Sequence, residues 1–389
     1  MSIPLIYLSA GEASGDLLGA RLMRALKKQT NGAVRFTGVG GPNMSAEGLD
    51  SLFPMEELSV MGLAEVLPHI PKLLRRIKET TADVLAKQPD CFVSIDAPGF
   101  NFRVAKALKG KEIPLVHYVA PTVWAWKPKR AQKIAQFLDH LLVLLPFEPP
   151  YFEKENLPTT FVGHSIIESG LDQIDPLAFR DRHGIPRDAP LLCVLPGSRR
   201  TEVSQLLPIF EETLRQLKQN HPSLHLVVPT VHGVASLVKE KSDEWPFPVL
   251  VVEGEAEKFG AFKAANAALA ASGTVSLELA LAQTPTIIAY KFKKLTYWLA
   301  KRLVRVKYAS IVNLLHDREV MPEFIQDKCT PDTLSKALDL ALAESEYSEE
   351  QQTALKEAMG MLGQGQDQTP SERASSVILS LLSKGKSYV

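Results

Sequence analysis

Short apolar runs alternate with longer amphipathic stretches along most of the chain. The runs are Leu5–Ser9, Val34–Thr37, Cys91–Ile95, Leu115–Tyr118, Leu141–Leu145 and Thr160–Val162, then Leu191–Leu195, His225–Val228, Val249–Val252, Ala267–Ala271 and Thr286–Ala289. Each is bounded by glycine, proline or polar residues. Runs this short and this apolar read as strands buried on both faces, and the amphipathic gaps read as helices. The pattern predicts βαβ units with parallel sheets. The strands fall into two sets of five to six. Between the sets, Ile166–Pro190 is punctuated by Asp175-Pro176, Ile185-Pro186 and Ala189-Pro190. The expected architecture is therefore α/β, with two doubly wound domains, 1–165 and 186–368, joined by a linker at 166–185. After Ala289 the strand signal fades and helices are expected. Ala354–Thr369, with Gly360, Gly363 and Gly365, reads as a break before a terminal helix at about 370–389.

Composition narrows the class. The 389 residues suggest two to three domains, and 45% apolar with 23% charged residues excludes a disordered chain, a fibre or a coiled-coil rod. Forty-four basic residues balance forty-four acidic ones, which argues against a dedicated nucleic-acid binder. Cys91, Cys193 and Cys329 are widely spaced without a CxxC pair and read as small buried hydrophobes in a reducing compartment. The opening MSIPLIYLSAGEASGD lacks a basic n-region and reads as a first strand, not a signal peptide. No apolar run approaches the ~18 residues of a membrane span. A cytoplasmic protein is expected.

Two windows are both basic and apolar. In Val60–Lys78 the residues Leu63, Val66, Leu67, Ile70, Leu73, Leu74 and Ile77 follow helical spacing, with Lys72, Arg75, Arg76 and Lys78 towards the end. Pro68 and Pro71 predict two short helices with a corner. Lys291–Tyr308 holds seven basic residues and no acidic one, with Leu295, Trp298, Leu299 and Leu303 in a stripe beside Tyr297. Both windows fit a peripheral membrane contact. They fit equally a core-packed helix with a solvated basic face, and less well a single-strand nucleic-acid groove.

Ligands of doubly wound folds bind in loops beyond the carboxyl ends of strands. Four such loops carry suitable residues. Ala10–Asp16 offers Gly11, Gly15 and the Glu12 carboxylate, with Ser14 as a helix cap. Asp96–Asn101 ends a buried strand: Asn101 is expected to cap the following helix, leaving Asp96 free as a general base. Pro196-Gly197-Ser198-Arg199-Arg200 combines backbone amides with guanidinium groups and suits a phosphate. Ala271-Ser272-Gly273-Thr274 opens a helix on which Glu278 lies one turn in, placed to take ribose hydroxyls while the amides hold a pyrophosphate. Each loop alone could equally be an ordinary turn. Two phosphate-type loops in one domain favour a nucleotide. Trp124 and Trp126 follow the Leu115–Tyr118 strand and could form an apolar or sugar-stacking wall. His117, His164 and His221 show no metal-ligand spacing, so no metal site is expected.

Taken together, GEASGDLLGA at 11–20, DAPGFN at 96–101, HYVAPTVWAWKPKR at 117–130, LPGSR at 195–199, ASGTVSLE at 271–278 and NLL at 313–315 resemble the lipid-A-disaccharide synthases, in order and over nearly the whole chain. The resemblance implies a GT-B glycosyltransferase with two Rossmann-like domains facing a cleft and a C-terminal helix returning to the N-terminal domain. It implies an inverting transfer from UDP-2,3-diacylglucosamine to 2,3-diacylglucosamine 1-phosphate (lipid X), giving a β-1,6-linked disaccharide and UDP, with no cofactor. The N-terminal domain would bind the acceptor and the C-terminal domain the UDP-sugar. Asp96 or Glu12 would be the base. Ser198, Arg199, Arg200, Ser272, Gly273, Thr274, Glu278 and Asn313 would hold the UDP-sugar. Ser14, Asn101, Trp124, Trp126, Leu67, Leu74, Arg75, Arg76 and Trp298 would face the acceptor or the membrane. Peripheral association with the inner-membrane surface and a homodimer are also implied. The alternatives are a UDP-sugar 2-epimerase of the same fold, a non-catalytic two-domain ligand-binding module and a nucleotide-regulated membrane scaffold.

Overall fold

The computed structural model describes residues 3–58, 63–271, 273–292, 297, 306–343 and 345–385. The chain divides into two compact units, Met1–Ser165 with Gly365–Val389, and Ile166–Gln364. Each is built around a six-stranded parallel sheet.

In unit 1 the strands are β1 (Leu5–Ala10), β2 (Arg35–Val39), β3 (Cys91–Ile95), β4 (Leu115–Tyr118), β5 (His140–Val143) and β6 (Thr159–Phe161), in the order β2-β1-β3-β4-β5-β6. Every residue of β3 and β4 is buried, because helices cover both faces of the sheet. Helix Ala13–Gln29 lays Leu18, Leu22 and Leu26 on one face. Helix Pro370–Gly385 joins it there through Ala374, Ile378 and Leu382. Gln29 bonds Ser375 and Ser376, and Lys28 pairs with Glu372. Each fully buried leucine in such a layer contributes roughly 1.5–3 kcal/mol.

Unit 2 contains β7 (Leu191–Leu195), β8 (His225–Thr230), β9 (Val249–Glu253), β10 (Ala267–Ala270), β11 (Thr286–Tyr290) and β12 (Glu323–Ile325), in the order β12-β11-β10-β7-β8-β9. Its core packs Val203, Leu207, Phe210 and Leu214 of helix Arg200–Asn220 onto Leu192, Val194 and Leu226 of the sheet.

The structure departs from the sequence reading in four places. Helix Leu63–Lys87 runs unbroken through Pro68 and Pro71. A proline inside a helix costs ~3 kcal/mol, but burial of Ile77, Thr80 and Val84 in the later turns holds this one together. The stretch read as a linker carries helix Pro176–Arg182, whose Phe179 and Arg180 are buried. Arg180 donates to the carbonyls of Ala264, Pro186 and Ala189, which ties this stretch into unit 2. A twelfth strand, β12, follows the point where the strand signal faded. Helix Glu346–Met361 continues past Ala354, so the break before the terminal helix begins only after Met361. Among the described residues, no helix is long and apolar enough to cross a membrane.

Candidate functional site

In unit 1 the chain leaves β1 for β2 on one side and returns as β3 on the other, which makes the carboxyl ends of β1 and β3 a topological switch point. Glu12 and Asp96 follow these two strands. Their loops touch: a Cβ on Gly11 would lie 2.7 Å from the Cβ of Ala97, so this approach requires glycine. Glu12 occupies the cap position of helix Ala13–Gln29 and makes no side-chain capping bond. Ser14, expected to be the cap, is one residue inside the helix start and exposed. Burial pushes the Glu12 carboxyl above its ordinary range, and the neighbouring Asp96 charge adds to the rise. Burial likewise raises Asp96, partly opposed by a hydrogen bond from the Ala97 amide. Among the described residues neither carboxylate has an ion-pair partner.

The Asp96 backbone is strained. Asp96 and Ala97 have φ of +48° and +42°, a left-handed conformation that costs an L-residue roughly 1–2 kcal/mol. A buried clamp holds it. Asn101 Nδ2 donates to the carbonyls of Asp96 (2.8 Å), Ile95 (3.1 Å) and Ser9 (3.1 Å). Ser9 Oγ in turn donates to Asn101 Oδ1 at 2.7 Å. The Asp96 amide donates to Tyr118 O. Asn101 is therefore not the expected cap: its helix starts at Pro98, and proline at a first helical position displaces the start by three residues. Asn101 faces the strand ends from inside the first turn.

Trp124 and Trp126 do not form one wall. Trp124 Nε1 donates to Glu148 at 3.1 Å, and its ring meets Phe147 edge-on at 5.3 Å. Trp126 is exposed, with Lys127 over its ring at 4.2 Å. Glu148 is a residue the sequence reading missed. It is buried and accepts from the amides of Leu144 and Leu145 as well as from Trp124. Burial pushes its carboxyl up to about 7 against the pull of those donors. His117 is also buried, paired with Ser94 Oγ at 2.7 Å, and burial pushes it down to about 3.

On helix Leu63–Lys87, Leu74 and Arg75 are exposed. Arg76 is not: it turns inward over Phe53 at 4.4 Å and bonds Glu57 and Glu79 at 2.8 and 2.6 Å. An arginine so committed has no free charge for a headgroup. The side chain of Leu67, and Ser272 and Trp298 altogether, lie outside the described residues.

In unit 2 the switch point is between β7 and β10. A cavity of about 270 Å³ opens there, lined by Gly197, Ser198, Lys258, Gly273, Thr274 and Glu278 among others. Gly197 has φ +112°, and a Cβ on it would strike the Glu202 carboxylate at 2.2 Å. That carboxylate accepts from the Ser198 amide at 3.2 Å. It also meets the Tyr290 hydroxyl, which is pushed up to about 12 by burial first and by Glu202 second. Arg199 and Arg200 are exposed where helix Arg200–Asn220 begins. Thr274 stands at the cap position of helix Val275–Ala282, and Glu278 lies within its first turn. Glu278 is paired with Lys258 Nζ at 2.7 Å. Lys258, twenty residues away in sequence, was not found by local pattern. This arrangement suits a polyanion with hydroxyls: amides and arginines for phosphate, a carboxylate for a diol.

Asn313 differs from the expected ligand role. It is fully buried, and its side chain bonds Met321 O, Glu323, and the amides of Val320 and Met321. All four of its hydrogen-bonding positions are used internally, so it shapes the chain around Glu323.

A family model described as lipid-A-disaccharide synthetase matches residues 6–377. Lipid-A-disaccharide synthase of Rhodospirillum centenum is 54% identical over 382 residues, covering 98% of this chain and 95% of its own. The same-named protein of Paramagnetospirillum magneticum is 49% identical, covering 98% of each. Among solved structures, UDP-GlcNAc 2-epimerase from Neisseria meningitidis bound to UDP-GlcNAc aligns with TM-score 0.62 at 13% identity, covering 98% of this chain and 99% of its own. MurG of Acinetobacter baumannii aligns with TM-score 0.59 at 13% identity, covering 97% and 99%. These likenesses show the fold, which is of the GT-B class.

Proposed function

Because the chain belongs to the lipid-A-disaccharide synthetase family, we infer that it is the glycosyltransferase that condenses UDP-2,3-diacylglucosamine with 2,3-diacylglucosamine 1-phosphate in lipid A synthesis. The acceptor 6-hydroxyl loses its proton to Asp96, and its oxygen bonds to the anomeric carbon of the donor with inversion. The anomeric carbon–phosphate oxygen bond breaks, and UDP leaves with the electron pair. Asp96 carries this reading best. Its burial raises its proton affinity, and its clamped backbone fixes where the carboxylate can go. Glu12 is the competing base, its own proton affinity raised by burial and by the charge of Asp96.

Unit 1 binds the acceptor and unit 2 the donor. The amides at Gly273 and Thr274 and the guanidinium of Arg199 hold the developing charge on UDP, and such electrostatic stabilisation is commonly the largest catalytic contribution. Glu278 takes the ribose hydroxyls after parting from Lys258. Asn313 acts through Glu323 and not on the donor itself. Among the described residues of helix Leu63–Lys87, exposed Ile70, Leu74 and Arg75 suit the inner-membrane surface of the cytoplasm. The family resemblance further implies a homodimer, which sedimentation would detect.

UDP release in mixed micelles is the test. Release that requires the acceptor and yields a disaccharide is the expected result. C2 epimerisation of a plain UDP-sugar, with no release from the acylated pair, would return the assignment to the epimerase that shares this fold.

A further inference from the structure

We propose that unit 2 carries a dedicated site for an acyl chain of the donor, beside the nucleotide cavity and beyond the carboxyl ends of β11 and β12. The inference rests on the transferase reading. A second cavity of about 620 Å³ opens there, a size typical of sites that enclose a small-molecule ligand. Its apolar wall is made by Phe292, Tyr297, Val306, Tyr308 and Ile325. Phe292 and Tyr297 stack with ring centroids 6.3 Å apart.

The two cavities are linked through Tyr290. A smaller hollow is bounded by Tyr290, Phe292, Ala309 and Ile325, and the last three of these also line the large cavity. Tyr290 in turn meets Glu202, which lines the nucleotide cavity. A ligand whose nucleotide lies over Gly197 and Gly273 can therefore extend past Tyr290 into the aromatic cavity.

The charged residues around this cavity do not make it an anion site. Both oxygens of Glu323 are committed, to the amides of Ala309 and Ser310 and to Asn313 Nδ2. Lys307 pairs with Asp317 where both are exposed. Glu319, Asp327 and Lys328 also border the cavity, and the wall of Phe292, Tyr297, Val306, Tyr308 and Ile325 is the surface that gains most from a hydrocarbon occupant. The donor has a polar nucleotide, a sugar and two acyl chains. The first cavity suits the nucleotide, and the second suits a chain.

Two variants test the assignment, each read against UDP affinity and against donors with long and short acyl chains. Ala309→Trp adds bulk at an exposed position and fills the junction. Phe292→Ala removes wall and keeps the test open if the tryptophan variant folds poorly. The expected result is UDP affinity within about twofold of wild type in both variants. KM for the long-chain donor rises about tenfold in Ala309→Trp while KM for the short-chain donor is unchanged. Phe292→Ala weakens the preference for the long chain over the short one. Equal changes for both donors, or none for either, would overturn the acyl site. Failure of the wild-type protein to bind UDP or to release it in an acceptor-dependent way would instead remove the transferase reading, before any variant is made.

Discussion

The two switch points of this molecule stand in contrast. In unit 1 the carboxylates of Glu12 and Asp96 sit on strained or tightly apposed backbone, and burial raises their affinity for protons. In unit 2 the charges are met: Glu278 by Lys258, and Glu202 by the Ser198 amide. A site that moves a proton needs a carboxylate whose two protonation states lie close in energy, and desolvation without a counter-cation brings them together. A site that holds a ligand unchanged needs groups whose charge does not vary with pH. The same α/β framework supplies both, and the difference lies in what each loop leaves unpaired.

The largest effect expected from this contrast is that of Asp96→Asn. Loss of a positioned general base should lower turnover about 10²–10⁴-fold with KM little changed. Near-normal turnover would remove Asp96 from the base role. Its pH profile is also informative. Wild-type activity should rise with pH through an apparent value above the usual carboxylate range. In the Asp96→Asn protein any residual activity should rise at lower pH, because Glu12 loses its like-charged neighbour.

Asn101→Ala comes next. It leaves the carbonyls of Ser9, Ile95 and Asp96 without their buried donor, and each such loss costs ~1–3 kcal/mol. A stability loss of roughly 3 kcal/mol on denaturant unfolding is expected. A fall in kcat beyond the folded fraction should accompany it. Ser9→Ala should show a weaker version of the same change.

In unit 2, Glu278→Ala should weaken UDP binding about tenfold by calorimetry. Lys258→Met, which leaves Glu278 unpaired, should alter UDP affinity and its salt dependence while leaving the acid limb of the rate profile in place. The smallest effect concerns Glu148. Its folded-state value near 7 lies above the unfolded value, so its contribution is full at pH below about 4.5 and is lost as pH rises through 7. The near-ultraviolet signal of Trp124 should titrate in that window and should cease to do so in Glu148→Ala.

Much of this architecture is legible in the sequence because parallel strands buried on both faces leave compact apolar runs. Cys91–Ile95, Leu115–Tyr118 and Leu191–Leu195 are such runs, with the same ends in the structure. Strand β12 is not legible. It is three residues, Glu-Phe-Ile, half-buried at a sheet edge, and alternation needs more length than that. The candidate loops were visible because glycine, aspartate and arginine after an apolar run have few structural uses. Their wiring was not visible. Ser9 and Asn101 are 92 positions apart, and Lys258 and Glu278 are twenty apart on different helices. Asn101 misled as a cap because asparagine serves caps and buried clamps equally well by composition. Pro98, at a first helical position, was the local sign of the true start.

The terminal helix has a consequence for how the protein is made. Unit 1 is completed by Gly365–Val389, so all of unit 2 is an insertion within it. At ~5–20 residues per second, the ribosome takes about 10–40 s to deliver the 199 residues of Ile166–Gln364 before the closing segment emerges. During that interval the surface of helix Ala13–Gln29 that receives Ala374, Ile378 and Leu382 stands uncovered. Truncation near Gly365 leaves that surface without its cover and should yield insoluble protein from an otherwise intact first half.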